Sequence, residues 1–524
     1  MKLFRLLPWV AALSACAHSP AQMFSGPVVA SKPATIGVGD GLLLGVLADS
    51  QLQTRTNYRH VARYRSPFAD AFVPVAVRPP ALDFTARALL LENLWMLKRN
   101  GAAAIFYLGD GANNGCEDEF LEGFDPAVPV RETNAAGTLD ENAEGILDVL
   151  AKFRAAAGMP VYFVIGNHDF LGAGSTAKTS TRLAFCNIDK ERFPPGTPQN
   201  PPISKARMIE EIDRFNRQNS DPRFAYASNV PGSDMAAQCG RDERQFKTAG
   251  CYLAARIDTV TDGKTVQLLL LDTGDWHDVV YLHPLGYNQL GEWGGITYRH
   301  SKGIPSQIDW FSRNASGQVA MRVALMHNDV NSLRKGYFGQ GLSYLTRHLP
   351  DLFSTAGDQR TAKQNGAFFI SAHTHTPVDW EKTREFEPHD CAKGRCVVRA
   401  VKVTELNIGS TTDDPSFSTL VKLRPAAGPN GEIDYYPLHI SMEQCSRVDA
   451  ELSKPVAMPD GTAAPGWMSF GIDHTDRHNY DRFDYDDARL VWDHIRTFVA
   501  NDPGRSLAVC IGREAAKVER GLTR

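Results

Sequence analysis

The sequence has no Cys-x-x-Cys pair, which removes the usual zinc-ribbon arrangement. It has no Gly-x-Ser-x-Gly turn for a serine nucleophile and no glycine-rich nucleotide loop. It contains no run of basic residues, and its formal net charge is -4, so no nucleic-acid-binding surface is evident. Internal repeats and low-complexity tracts are missing as well, which argues against solenoid and fibrous architectures. The apolar segment near the start, residues 6–15, is too short to stay in a bilayer as a spanning helix.

What is there describes a globular chain. Apolar residues make up 43% of the 524 and charged residues 22%, enough for a sizeable core under an ordinary surface. The length suits one large domain with insertions, or two domains.

The first residues have the form of a bacterial export signal. Lys2 and Arg5 precede the apolar stretch, which ends in Leu13-Ser14-Ala15-Cys16. These four residues resemble a lipobox, in which Cys16 would be acylated and become the mature N-terminus. The alternative is an ordinary cleaved signal that happens to contain a cysteine. Ala17 stands where an Asp would resemble an inner-membrane retention signal, which favours the outer membrane or periplasm. Residues 17–40, rich in Ala, Ser, Pro and Gly, read as a tether.

Setting Cys16 aside leaves eight cysteines, an even number that permits four disulfides in an oxidising compartment. Nearness in sequence favours Cys239–Cys251 and Cys391–Cys396, with Cys116–Cys186 and Cys445–Cys510 remaining. Free buried thiols are the alternative.

From residue 41 the pattern alternates. Residues 42–48, 102–108 and 161–165 are continuous apolar runs and read as buried strands. Between them, residues 84–99 and 140–157 carry apolar side chains at helical spacing, stopped by Asn100-Gly101 and by Gly158. This progression predicts a layered α/β core. Residues 171–250 break the rhythm and read as a long insertion with one short helix around 207–217. Further strands are expected at 266–271, 322–326, 367–371, 396–403 and 419–423, and a helix at 486–500. The expected organisation is a signal at 1–16, a tether at 17–40, a main α/β domain at 41–424 with the insertion at 171–250, and a C-terminal appendage at 425–524.

Residues able to bind metal recur just after the apolar runs: Asp49-Ser50-Gln51, Gly109-Asp110-Gly111-Ala112-Asn113-Asn114, Gly166-Asn167-His168-Asp169, His327-Asn328-Asp329 and Ala372-His373-Thr374-His375. In an open α/β sheet, ligands bind beyond the carboxyl ends of the strands, so five such ends can converge. Each motif alone has a plainer reading. Asp after a strand is a common helix N-cap, Asn-His-Asp suits a turn, and a lone histidine is more often a hydrogen-bonded core residue. His373 and His375 form the stronger pair, on a loop that could reach over a metal. Asp272-Thr273-Gly274-Asp275 follows another strand and reads as shaping the site edge, with metal binding possible; residues 407–412 could supply backbone donors near the site, or form a turn closing the sheet.

Taken together and in this order, the five motifs resemble those of the calcineurin-like metallophosphoesterase superfamily, with Gly166-Asn167-His168-Asp169 the most specific match. The resemblance spans residues 41–423. It implies a two-sheet α/β sandwich and hydrolysis of a phosphoester by a hydroxide generated between two divalent cations (Mn, Fe or Zn). Position by position, it implies Asp110 as the shared carboxylate. Asp49, Gln51 and His375 would bind the first metal, and Asn167, His327 and His373 the second. His168 would contact the phosphate and assist the leaving group, with Asn113 and Asp169 in supporting positions. The sequence departs from the family at Gln51, where the family has a ligand histidine, at Asn113 for an Asp, and at Ala372 for a Gly. Gln51 motivates an alternative, a non-catalytic envelope lipoprotein whose degenerate site binds metal, lipid or a protein partner. The implied partners are a phosphoester substrate and, through Cys16, a membrane.

Overall fold

The structure is a computed structural model that describes residues 41–52, 63–65, 72–74, 80–112, 145–166, 168–169, 203–240, 251–273, 307–315, 319–329, 367–375, 382–386, 389–390, 397–398, 401–411, 416–425, 431–440, 456–457, 463–464 and 507–522. Cys16, Asn113, Asn167 and the helix expected at 486–500 lie outside them.

Twelve strands build two sheets: β1 (Leu42–Leu47), β2 (Ala104–Tyr107), β3 (Val161–Phe163), β4 (Ala225–Ser228), β5 (Ala255–Thr261), β6 (Lys264–Leu271), β7 (Met321–Met326), β8 (Ala367–Ser371), β9 (Lys382–Phe386), β10 (Val401–Asn407), β11 (Ser416–Arg424) and β12 (Glu432–Ile440). The first sheet has the order β12-β11-β1-β2-β3 and the second β9-β10-β8-β7-β6-β5-β4. Each is parallel at its centre. β1, β2 and β3 run parallel in one, and β6, β7, β8 and β10 in the other. Antiparallel strands flank both centres.

The apolar runs are continuous because both faces of these strands are covered. In the first sheet Leu44, Val46, Phe106 and Tyr162 face one way and pack with Leu268, Leu270, Val323, Leu325 and Ile370 of the second. Leu47, Tyr107 and Phe163 face the other way, toward the helices. Rings stack between β2 and β3 on both faces, Phe106 on Tyr162 at 5.3 Å and Tyr107 on Phe163 at 5.1 Å. The mixed α/β sandwich expected from the sequence is present.

Helices α1 (Pro80–Arg99), α2 (Ile146–Ala157) and α3 (Lys205–Arg217) cover the outer face of the first sheet. α2 stops where Gly158 turns left-handed (φ 61°) and its N–H closes on the Arg154 carbonyl. Ser204 caps α3 by accepting the Arg207 N–H. Two segments set apart in the sequence reading are built into this core. In α3, Met208, Ile209, Ile212 and Phe215 are buried, and Asn216 bonds both the N–H and the C=O of Phe163 in β3. β4 forms the edge of the second sheet. Beyond residue 424, β12 pairs along β11, and helix α4 (Leu507–Leu522) packs on α1 with Ile511 and Ala515 buried.

The Cys239–Cys251 disulfide is formed. Cys510 is also disulfide-bonded. Among the described residues no helix is long and apolar enough to cross a membrane.

Candidate metal centre

The parallel strands all deliver their carboxyl ends to one region. Asp49 follows β1, Asp110 follows β2, His168 and Asp169 follow β3, His327 follows β7, and His373 and His375 follow β8. The loops after β1 and β2 run side by side: Asp49, Gln51 and Leu52 donate N–H bonds to the carbonyls of Gly109, Asp110 and Gly111. The loop after β10 crosses from the second sheet to the first. Thr411 donates its N–H to the Ala48 carbonyl, and Ser410 donates its hydroxyl to the Asp49 carbonyl.

Backbone conformation marks the same place. Among the described residues, six non-glycine residues have positive φ, and five of them are Asp49, Gln51, Asp110, His373 and His375. The left-handed region costs an L-residue roughly 1–2 kcal/mol, and such strain concentrates at functional sites. These turns carry Asp49, Asp110, His373 and His375 into one centre.

Close glycine contact brings the second and third loops together. A Cβ on Gly166 would lie 2.2 Å from both the N and the Oδ1 of Asp110, and one on Gly109 would lie 2.4 Å from the Gly166 N. Asp169 fastens the joint. Its buried carboxylate accepts the N–H groups of Gly111 and Ala112 on Oδ1, and those of Asp110 and Gly166 on Oδ2. Burial, then the charge of Asp110, pushes this carboxyl up to about 7, while the four main-chain donors favour the ionised form.

Two groups of potential ligand atoms result, each within 4.8 Å: Asp110, His327 and His373, and Asp49, Asp110 and His375. Asp110 belongs to both. Its Oδ1 accepts the His168 N–H at 2.7 Å. Its Oδ2 is buried, makes no well-aligned hydrogen bond and lies 3.1 Å from His327 Nε2. The Nδ1 of His327 lies 2.7 Å from the Leu108 carbonyl, which can only accept, so Nδ1 carries a proton and Nε2 is the nitrogen that could offer a lone pair to a cation. Asp49 Oδ1 is 3.5 Å from His375 Nε2 and 4.0 Å from His327 Nε2, while Asp49 Oδ2 accepts the His373 N–H.

Charge in this enclosure is unevenly placed. Burial pushes Asp49 up to about 7, against the pull of His327 and His375. Burial also raises Asp110, but the imidazoles of His327, His168 and His373 outweigh it and hold this carboxyl well below the ordinary carboxylate range. Burial lowers His327, yet Asp110, Asp49 and the Leu108 carbonyl together lift it to about 9. His327 Nε2 and Asp110 Oδ2 face each other at 3.1 Å, where a cation would satisfy both lone pairs. Buried carboxylates and imidazoles converging, with no arginine or lysine in either ligand group among the described residues, fit divalent cations.

The structure thus brings together Asp49, Gln51, Asp110, His168, Asp169, His327, His373 and His375. Asn113 and Asn167 are outside the described residues. Of three supports, two were not singled out in the sequence, and Asn407 was read there only as part of a neighbouring loop or a turn. The Leu108 carbonyl orients His327 and leaves no side-chain signature. Asn407 holds the histidine loop by donating to the Ala372 carbonyl and accepting from the Thr374 hydroxyl. The Tyr107 hydroxyl accepts the Ser50 N–H under the first loop. A strand ending in Asn407 was the available signal, and it reads equally as a turn. Asp272 is buried in an ion pair with Lys205 at 3.2 Å and lies outside both ligand groups.

No protein-family profile matches this chain, and no curated protein sequence is similar to it. Among solved structures, a dimetal phosphatase from Danio rerio is 10% identical, with 76% of this chain and 99% of that chain covered and a TM-score of 0.35. A structure described as PhoD is 9% identical, with 79% and 72% covered and a TM-score of 0.30. At such values the function rests on the chain's own residues.

Proposed function

We propose that this chain is a metal-dependent phosphoester hydrolase acting on a phosphomonoester or phosphodiester. The observation that carries the reading is the pair of ligand groups sharing Asp110 at the carboxyl ends of two parallel sheet centres. Asp110 would be common to both cations. Asp49, Gln51 and His375 would complete one position, and His327, His373 and Asn167 the other. When bound, a pair of divalent cations offsets the charge of phosphate oxygens and lowers the pKa of water.

The protein's own groups do the rest. Leu108 fixes the His327 ring through Nδ1. Asp169 fixes the turn that carries Asp110. His168, tied to Asp110 through its N–H and only partly buried, would hold a proton on its ring and pass it to the departing oxygen. The lipobox-like Leu13-Ser14-Ala15-Cys16 and the disulfides at Cys239–Cys251 and Cys510 support an exported, lipid-anchored protein of the bacterial envelope.

The test is turnover of aryl phosphomonoesters and phosphodiesters by the purified chain with added Mn²⁺, beside His168→Ala. The expected result is metal-dependent hydrolysis of one ester class, strongly reduced in the variant. Metal binding without hydrolysis of either class would overturn the enzyme reading in favour of a binding protein on the same fold.

A further inference from the structure

Gln51 sits where it controls one half of the centre. Its N–H donates to the Asp110 carbonyl at 2.9 Å, its side chain is 5% exposed, and its Nε2 lies 3.1 Å from His375 Nε2. An amide nitrogen has no lone pair to offer, so in this orientation the imidazole Nε2 accepts. Turning the amide over presents its oxygen, and the ring must then carry its proton on Nε2. In either orientation the lone pair that a cation would need on His375 is engaged by Gln51. The opposite half is arranged differently. The outward Nδ1 of His327 is held by a main-chain carbonyl, which leaves Nε2 facing Asp110.

The donor sets and exposures diverge in the same sense. One position offers the carboxylates of Asp49 and Asp110, the amide of Gln51 and a single imidazole whose side chain is 29% exposed. The other offers Asp110 and two imidazoles, of which His327 is fully buried. Oxygen-rich sets suit Mn²⁺ and Mg²⁺, whereas imidazole suits Zn²⁺ and iron and binds the later metals more tightly.

We infer that Gln51 makes the two metal positions unequal: the Asp49–Gln51–His375 position is a weak, exchangeable site for a hard divalent cation, and the His327–His373 position retains its metal. This rests on the dinuclear reading above. Hydrolysis would then follow the free Mn²⁺ or Mg²⁺ concentration, because a cation must displace the Gln51–His375 hydrogen bond to enter.

The test is Mn²⁺ titration of the metal-stripped full chain, followed by calorimetry and electron paramagnetic resonance, with Gln51→His and Gln51→Glu alongside. Gln51→Glu preserves shape, so the test survives if histidine is not accommodated. The wild type is expected to show two classes of site. Its isolated-ion spectrum should persist to one equivalent, and the exchange-coupled spectrum should appear only in excess Mn²⁺. Each variant should tighten the weaker class by roughly tenfold or more. Equal affinities in the wild type, or variants binding no tighter than it, would overturn the inference. Two unequal sites without turnover would support it while sinking the hydrolase reading. No Mn²⁺ bound by any of the three would overturn both.

Discussion

Replacing Asp169 by asparagine tests how the centre is held. The substitution keeps shape and volume, so it opens no cavity. It leaves one acceptor oxygen where there were two. In the parent, one oxygen accepts from Gly111 and Ala112 and the other from Asp110 and Gly166. Whichever way the new amide turns, its NH₂ faces two main-chain donors. Two buried N–H groups then lose their acceptor, at about 1–3 kcal/mol each, for a loss of about 2–6 kcal/mol. The damage falls on the turn carrying Asp110, so metal affinity should fall with stability. Urea unfolding with Mn²⁺ titration of the same samples reads both. A variant within about 1 kcal/mol of the parent, binding Mn²⁺ equally well, would refute the claim that this carboxylate fastens the second and third loops.

Other substitutions reach different parts of the argument. Gly166→Ala places a Cβ on the Asp110 main chain and should cost roughly 3 kcal/mol or more, visible as a lowered melting temperature; an unchanged one would mean the loops can separate cheaply. Asn407→Ala removes the bonds to Ala372 and Thr374 and should weaken metal binding about 10–100-fold in equilibrium dialysis. Retained affinity would show that the histidine loop holds itself. Cys239→Ser opens a disulfide joining residues 12 apart and should cost about 2–4 kcal/mol in urea unfolding, with metal content unchanged.

The parallel strands at the centre of each sheet were legible because burial on both faces demands continuous apolar runs, as in residues 42–47 and 266–271. Their ends were legible because a strand end in such a sheet is where polar side chains converge. Of the flanking strands, β11 was legible at 419–423 and the others were not. β5 reads Ala-Arg-Ile-Asp-Thr-Val-Thr, alternating as an antiparallel strand does, and this pattern resembles many loops when short. β12 is a half-exposed edge strand carrying Pro437, which weakens a strand reading. α3 has a clear apolar stripe, but its attachment to β3 depends on Asn216, a residue that sequence places on the surface. At the centre, ligand types were legible and their supports were not. The partner of His327 is a main-chain carbonyl 219 residues away, and Asn407 acts on main-chain and hydroxyl groups that any loop possesses.

The central claim is that Asp110 serves two cations at once. Its most direct measurement is metal content at saturating Mn²⁺ for the parent and for Asp110→Ala, with circular dichroism confirming that both are folded. The account predicts two equivalents in the parent and loss of both in the variant, because each ligand group contains Asp110. A variant that loses one equivalent and keeps the other tightly bound would contradict it.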